Sequence, residues 1–235
     1  MKTAGIIGGI GPESTIEYYR LIIASYRKRT RDGSYPAIVV NSIDLKRILD
    51  LMEANNLPVL TEYLLGEVHK LSRAGADFGV LAANTPHIVF DPLCRQSPIP
   101  LISIVEVTCQ AAKARGLNRV GLLGTRFTMQ GRFYPDVFVQ AGITLVVPEP
   151  EEQAYIHDKY MSELVQGIIL PETRQGLLAI IERLRVKVRN RRRDSGWNGA
   201  SLDSAGREGR GDSLFGYDQT PCRAGRGPAV VIVAA

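Results

Sequence analysis

The feature that most constrains this chain is a short apolar run that breaks into glycine and then into a helix start, written twice. Residues 4–11 read AGIIGGIG and run into Pro12, and residues 121–127 read GLLGTRF. An apolar run closed by glycine, with Pro at the first helical position and Glu13 and Ser14 in the first turn, specifies strand, tight turn and helix. Strands that are apolar throughout need helices on both faces, which is the logic of a parallel α/β sheet. Between the two copies, PAIVVNSIDL predicts a second strand ending in Asn41 and Ser42. LTEYLLGEVHKLSRA has helical spacing over about residues 60–74, and GADFGVLAANTPH predicts a third strand ending in Asn84, Thr85 and His87. PIPLISI restarts the pattern, followed by a helix, the GLLGTRF strand, a helix carrying Tyr134, the strand ITLVV, and helices over 152–168 and 172–184. The expected architecture is α/β, with two similar domains of parallel sheet over residues 1–98 and 99–185 and a separate stretch over 186–235.

Charge separates that last stretch from the rest. Residues 186–235 hold nine Lys/Arg against five Asp/Glu, whereas the first 185 hold 20 against 19. The net charge of +5 therefore belongs to the C-terminal stretch and not to a folded face shaped to meet phosphates, so nucleic acid is not expected as a partner. The same fifty residues carry eight glycines and no amphipathic period, which predicts a disordered basic tail. No window approaches the roughly 18 apolar residues of a membrane span, and no secretory leader is written at the N-terminus, so a cytoplasmic protein without membrane partners is expected. Cys94, Cys109 and Cys222 form no CxxC pair, which signals neither a disulfide framework nor a metal site.

Candidate site residues gather where strands end, the place an open parallel sheet puts its ligands. Gly8, Gly9 and Gly11 form a turn whose backbone N–H groups suit a carboxylate or phosphate at a helix N-terminus. The spacing is not GxGxxG, so a dinucleotide is poorly supported, and a plain tight turn is the simpler alternative. Asn41 and Ser42, and then Asn84 and Thr85, offer amides and hydroxyls that fix a carboxylate by hydrogen bonds. His87 is either a general acid or base or a histidine that caps a following helix. Gly124, Thr125 and Thr128 occupy the corresponding place in the second half. His69, inside a helical pattern, reads as structural, and His157 as a surface residue.

KTAGIIGGIGPESTIEYYRLI, AANTPH and GLLGTRFTMQGRFY followed by GITLVVPEPEEQ together resemble the aspartate/glutamate racemase family, in particular its amino-acid racemase branch. The resemblance implies two α/β domains related by a pseudo-twofold with the active site in the cleft between them. It also implies a cofactor-independent and metal-free exchange of the α-proton of a small acidic amino acid, and it admits a homodimer. The strand-end reading places Gly9, Gly11, Asn41, Ser42, Asn84 and Thr125 at the substrate and makes Thr85 and His87 the catalytic candidates; of these, Asn84, Thr85 and His87 match the family's motif. The family exchanges the proton through two cysteines, one from each domain; where the first precedes its Asn-Thr pair, this chain has Ala83. A catalytically inactive binding protein for an amino acid or dicarboxylate is therefore the alternative.

The family's second cysteine motif, Gly-Cys-Thr-Glu, is not written after residue 185. Shifting the frame by one base across the codons open to Ser195 through Ser204, however, largely forces Leu-Gly-Gly-Thr-Glu-Leu-Pro-Leu-Ile. The same shift from Asp212 to Arg223 permits Ile-Pro-Phe-Leu-Asp-Thr-Thr-Lys-Leu-His-Ala. A frameshift near Arg185 is the reading these two stretches share, and it predicts a second domain short of a strand and prone to self-association.

Overall fold

The computed structural model describes residues 1–190 and 230–234, which form two compact units. The first comprises residues 1–108 with 164–168; the second comprises 109–163 together with the described residues from 169 onward. Each is a parallel α/β sheet, as the repeated strand–turn–helix pattern requires.

In the first unit, β1 (Ala4–Gly8), β2 (Ile38–Ser42), β3 (Phe78–Leu81) and β4 (Leu101–Ile102) lie in the order β2-β1-β3-β4. All three pairings are parallel, with Ile6 opposite both Val40 and Val80, and Val80 opposite Ile102. α1 (Pro12–Thr30) follows β1; α2 (Leu45–Glu53) and α3 (Leu57–Arg73) follow β2. The sequence pattern gave no separate helix over α2, which begins because the Asp44 carboxylate accepts the Lys46 N–H at 2.9 Å. α3 buries Leu60, Leu64, Val68 and Leu71 completely, the helical spacing that identified it. Glycines in the strands let it approach: a Cβ on Gly5 would stand 3.0 Å from Leu71 Cδ1. A 3-10 turn (Thr85–Val89) and α4 (Phe90–Gln96) lead to β4, and α5 (Ile104–Ala114) carries the chain onward.

The second unit contains β5 (Arg119–Gly124), α6 (Arg126–Gln130), α7 (Phe133–Gln140), β6 (Thr144–Val146), α8 (Pro150–Ser162), α9 (Pro171–Asn190) and β7 (Val230–Ala234). Its sheet order is β6-β5-β7, again parallel. The strand that opens each unit thus lies between the next two, which is what a duplicated unit predicts. α9 packs Leu177, Ile180, Leu184 and Val188 inward, and Arg183 and Lys187 reach Glu152 and Glu149 at the start of α8, each at 2.6 Å.

Two expectations about the C-terminal stretch are corrected. The last helix does not stop at residue 184: Val188 is buried and its carbonyl accepts from Arg119 Nε at 3.1 Å, so the helix continues to Asn190. Nor is the second sheet left without a strand beside β5, because Val230–Ala234, a β-branched run, pairs with Val120–Gly124. The expected disorder over 191–229, the two frame-shifted stretches and Cys222 lie outside the described residues. Among the described residues no helix is long and apolar enough to cross a membrane.

Candidate functional site

The turn after β1 is held open by backbone geometry that only glycine supplies readily. Gly9 and Gly11 have φ of 79° and 90°. A Cβ on Gly9 would lie 2.4 Å from the Ile43 carbonyl oxygen and 2.5 Å from Ser42 Oγ, so the turn closes directly on the end of β2. The Gly9 N–H is already committed, donating to Thr15 Oγ1 at 3.0 Å. Gly11 sits at the N-cap of α1 and supplies no side-chain cap, and the positive end of the helix dipole faces this turn. Ser14 Oγ lies 2.8 Å from the Gly11 carbonyl oxygen and 2.7 Å from that of Ala82. Its proton serves either one, tying this turn to the end of β3.

β3 delivers Ala82, Ala83, Asn84 and Thr85 to that same edge. Asn84 is buried and its carbonyl accepts the His87 N–H at 2.9 Å; Thr85 is half-buried. Of the two roles open to His87, the structure shows the contacts of a helix cap. Its ring is buried and stacked on Phe90 at 4.7 Å between centroids. Nε2 accepts the Ile104 N–H at 3.1 Å, which leaves Nδ1 as the protonated nitrogen, donating to the Ala83 carbonyl at 3.0 Å. Burial drives its pKa down to about 4 against the opposing pull of the Ala83 and Asn84 backbone groups. With both nitrogens engaged in a neutral ring, His87 caps α5, the alternative the sequence had left open.

Asn41 has a partner within the chain. It lies on the face of β2 that meets α3, where Nδ2 donates to Glu67 Oε2 at 2.8 Å. Glu67 is buried, which pushes its carboxyl up, but hydrogen bonds from Lys70 and Asn41 outweigh this and hold it below its ordinary range. Asn41 is therefore a partner for a buried carboxylate that the sequence reading passed over; a Glu inside an otherwise apolar α3 stripe was the available signal. Ser42, by contrast, is exposed at the strand end.

In the second unit Thr125 is buried at the N-cap of α6. Its Oγ1 accepts the Thr128 N–H at 3.3 Å and lies 3.2 Å from Thr128 Oγ1. Arg126 N–H donates to His157 Nδ1 at 3.3 Å, and Phe127 meets the His157 ring edge-on. Thr125 thus caps α6, and His157 is tied to the same loop. Neither described thiol is set up to carry a proton: burial, followed by Asp91 and Glu106, pushes Cys94 up to about 11, and burial also raises Cys109.

The glycine turn, Ser42 and the Asn84–Thr85 loop therefore remain together on one sheet edge of the first unit. Comparison with known proteins gives the family and the fold. A family model described as Asp/Glu/Hydantoin racemase matches residues 7–189. The broad specificity amino-acid racemase RacX of Bacillus subtilis is 25% identical over 183 residues, 77% of each chain. A candidate Asp/Glu racemase from Yersinia pestis has a TM-score of 0.72 at 30% identity, covering 80% of this chain and 83% of that one. An aspartate racemase homologue from Pyrococcus horikoshii has a TM-score of 0.65 at 34% identity, covering 80% and 81%.

Proposed function

The chain belongs to the Asp/Glu/hydantoin racemase family, and on that premise we propose that it binds a small acidic amino acid at the strand-end loops of its first unit and exchanges the α-proton without a cofactor. The observation that carries the reading is the joining of two polar loops on one edge: the glycine turn after β1 and the Asn84–Thr85 loop after β3, linked through Ser14 and the Ala82 carbonyl. The uncapped start of α1 suits the α-carboxylate, since helix N–H groups and dipole both favour an anion. Holding that carboxylate also helps the reaction, because removal of the α-proton moves negative charge into it. Thr85 is the side chain we assign to the proton's path. A hydroxyl is a poor base, so exchange is slow.

The reading of the chain as an amino-acid binding protein without turnover is favoured by Ala83 at the position of the family's first thiol and by the locked, neutral His87. Incubation with L-aspartate or L-glutamate in deuterated buffer separates the two by NMR. Loss of the Cα–H signal, abolished by Thr85→Ala, supports exchange. Saturable binding by calorimetry with no loss of that signal supports the binder.

A further inference from the structure

His87 does more than a helix cap requires. α5 already has an ordinary cap: Ser103, the buried residue before it, accepts the Glu106 N–H on Oγ at 3.2 Å, and its carbonyl accepts the Val107 N–H at 3.1 Å. The His87 ring adds an acceptor for the Ile104 N–H, on Nε2 at 3.1 Å. Its other nitrogen serves the loop after β3, donating to the Ala83 carbonyl at 3.0 Å. The backbone N–H of the same residue donates to the Asn84 carbonyl at 2.9 Å. One residue thus holds two successive carbonyls of the loop that carries Asn84 and Thr85, and its ring fastens the first of them to the start of α5.

The strut is itself rigid. The ring is 2% exposed and stacks on Phe90 at 4.7 Å with 7° between the planes, so packing fixes it along with its hydrogen bonds. The residue before it in the loop is held independently: the Ala82 N–H donates to the Ile7 carbonyl at 2.8 Å, and the Ala82 carbonyl lies 2.7 Å from Ser14 Oγ. Ala82 is therefore anchored to β1 and α1 without the imidazole, whereas Ala83 and Asn84 take an anchor from His87. Groups that act on a substrate need to be held to within about 0.5 Å, and a misplacement of about 1 Å costs up to about a hundredfold in rate. We propose that His87 is the positioning residue of the amino-acid site: by bridging the Ala83 carbonyl and the Ile104 N–H, it sets the backbone from which Asn84 and Thr85 reach the substrate, without touching the substrate itself. This rests on the assignment of Asn84 and Thr85 to that site.

Three variants of the full chain test this, each compared with the parent at a temperature where all are folded by circular dichroism. His87→Leu fills the space and removes both ring hydrogen bonds; His87→Gln keeps an amide donor and a carbonyl acceptor. Leu64→Ala removes a fully buried side chain from α3 and lowers stability without altering the loop. Calorimetry with L-aspartate should show affinity about tenfold weaker in His87→Leu, restored to within about threefold of the parent in His87→Gln, and unchanged in Leu64→Ala. Amide hydrogen exchange over residues 82–89, measured without ligand, should rise in His87→Leu and not in the other two. Affinity in His87→Leu no lower than in Leu64→Ala overturns the proposal, as does a folded His87→Gln that recovers nothing. A parent chain that binds neither aspartate nor glutamate refutes the reading of the site itself, and unchanged amide exchange in His87→Leu refutes the strut whatever the ligand.

Discussion

After β1 the chain uses three residues, Gly9 to Gly11, two of them at positive φ, before α1 begins; after β5 it uses Thr125 alone before α6. The two turns occupy the same place in two similar sheets, between the central strand and its first helix. They differ in what is left over. The first leaves the helix start without a side-chain cap, and the second spends its hydroxyl on the cap. A helix start that caps itself has less to offer an anion, so duplication of the strand–turn–helix unit does not imply duplication of the binding edge.

The strands flanking β1 and β5 extend the contrast. In the first unit β3 follows α3 after the four residues 74–77 and brings Asn84 and Thr85 to the edge. In the second, the partner of β5 on that side is drawn from residues 230–234, although α9 ends at Asn190. The family match ends at residue 189, next to that helix end. We propose that the shifted reading supplies the strand the family places there: Leu-Gly-Gly-Thr-Glu falls a few residues after α9, much as β3 falls after α3. Restoring the frame by one base should raise the thermal midpoint, and an unchanged midpoint counts against the shift.

The largest effect expected from breaking the contrast between the turns is Gly9→Ala. Positive φ and a Cβ 2.4 Å from a carbonyl oxygen should destabilise the first unit by about 3 kcal/mol in denaturant titration; a change near zero would mean that the turn relaxes freely. Almost as large is the pH effect of His87. Its folded pKa of about 4 lies below the unfolded value near 6.5, so the unfolded chain binds more protons between these values. Stability is therefore retained above about pH 6.5 and falls by about 3 kcal/mol as pH drops to 4. His87→Gln should flatten that part of the pH–stability profile.

Asn41→Ala removes a donor from the buried Glu67 carboxylate and should cost about 2 kcal/mol. If Asn41 served substrate instead, binding would suffer and stability would not. Smallest is Thr125→Ala, which removes the α6 cap for about 1 kcal/mol, with Thr125→Ser expected to retain most of it. Loss of amino-acid binding without loss of stability would return Thr125 to the site and erase the difference between the turns.

The fold was legible in the sequence because its signals are local. The apolar runs at residues 4–8 and 119–124, the helical spacing of Leu60, Leu64, Val68 and Leu71, and the glycines closing each strand all act within a few residues. The site was legible only as a set of strand ends. Whether Asn41 faces the ligand edge or α3 depends on which side of β2 it takes, and whether His87 is free depends on Ile104, seventeen residues away. The strand at Val230–Ala234 escaped because its partner lies more than a hundred residues earlier and the glycine- and arginine-rich composition around it masked a run of β-branched residues.

The proposed proton exchange lies at the end of β3, where Ala83 stands in for the family's first thiol. Ala83→Cys measures this most directly, by deuterium wash-in at the α-carbon of aspartate and glutamate. One thiol on one face of the substrate is enough to introduce the label, even where full racemisation needs a second group. Slow exchange by the parent chain is expected, with loss of it in Thr85→Ala and an increase of about a hundredfold in Ala83→Cys. Exchange indifferent to both substitutions, or equally fast in parent and Ala83→Cys, would contradict that proposal.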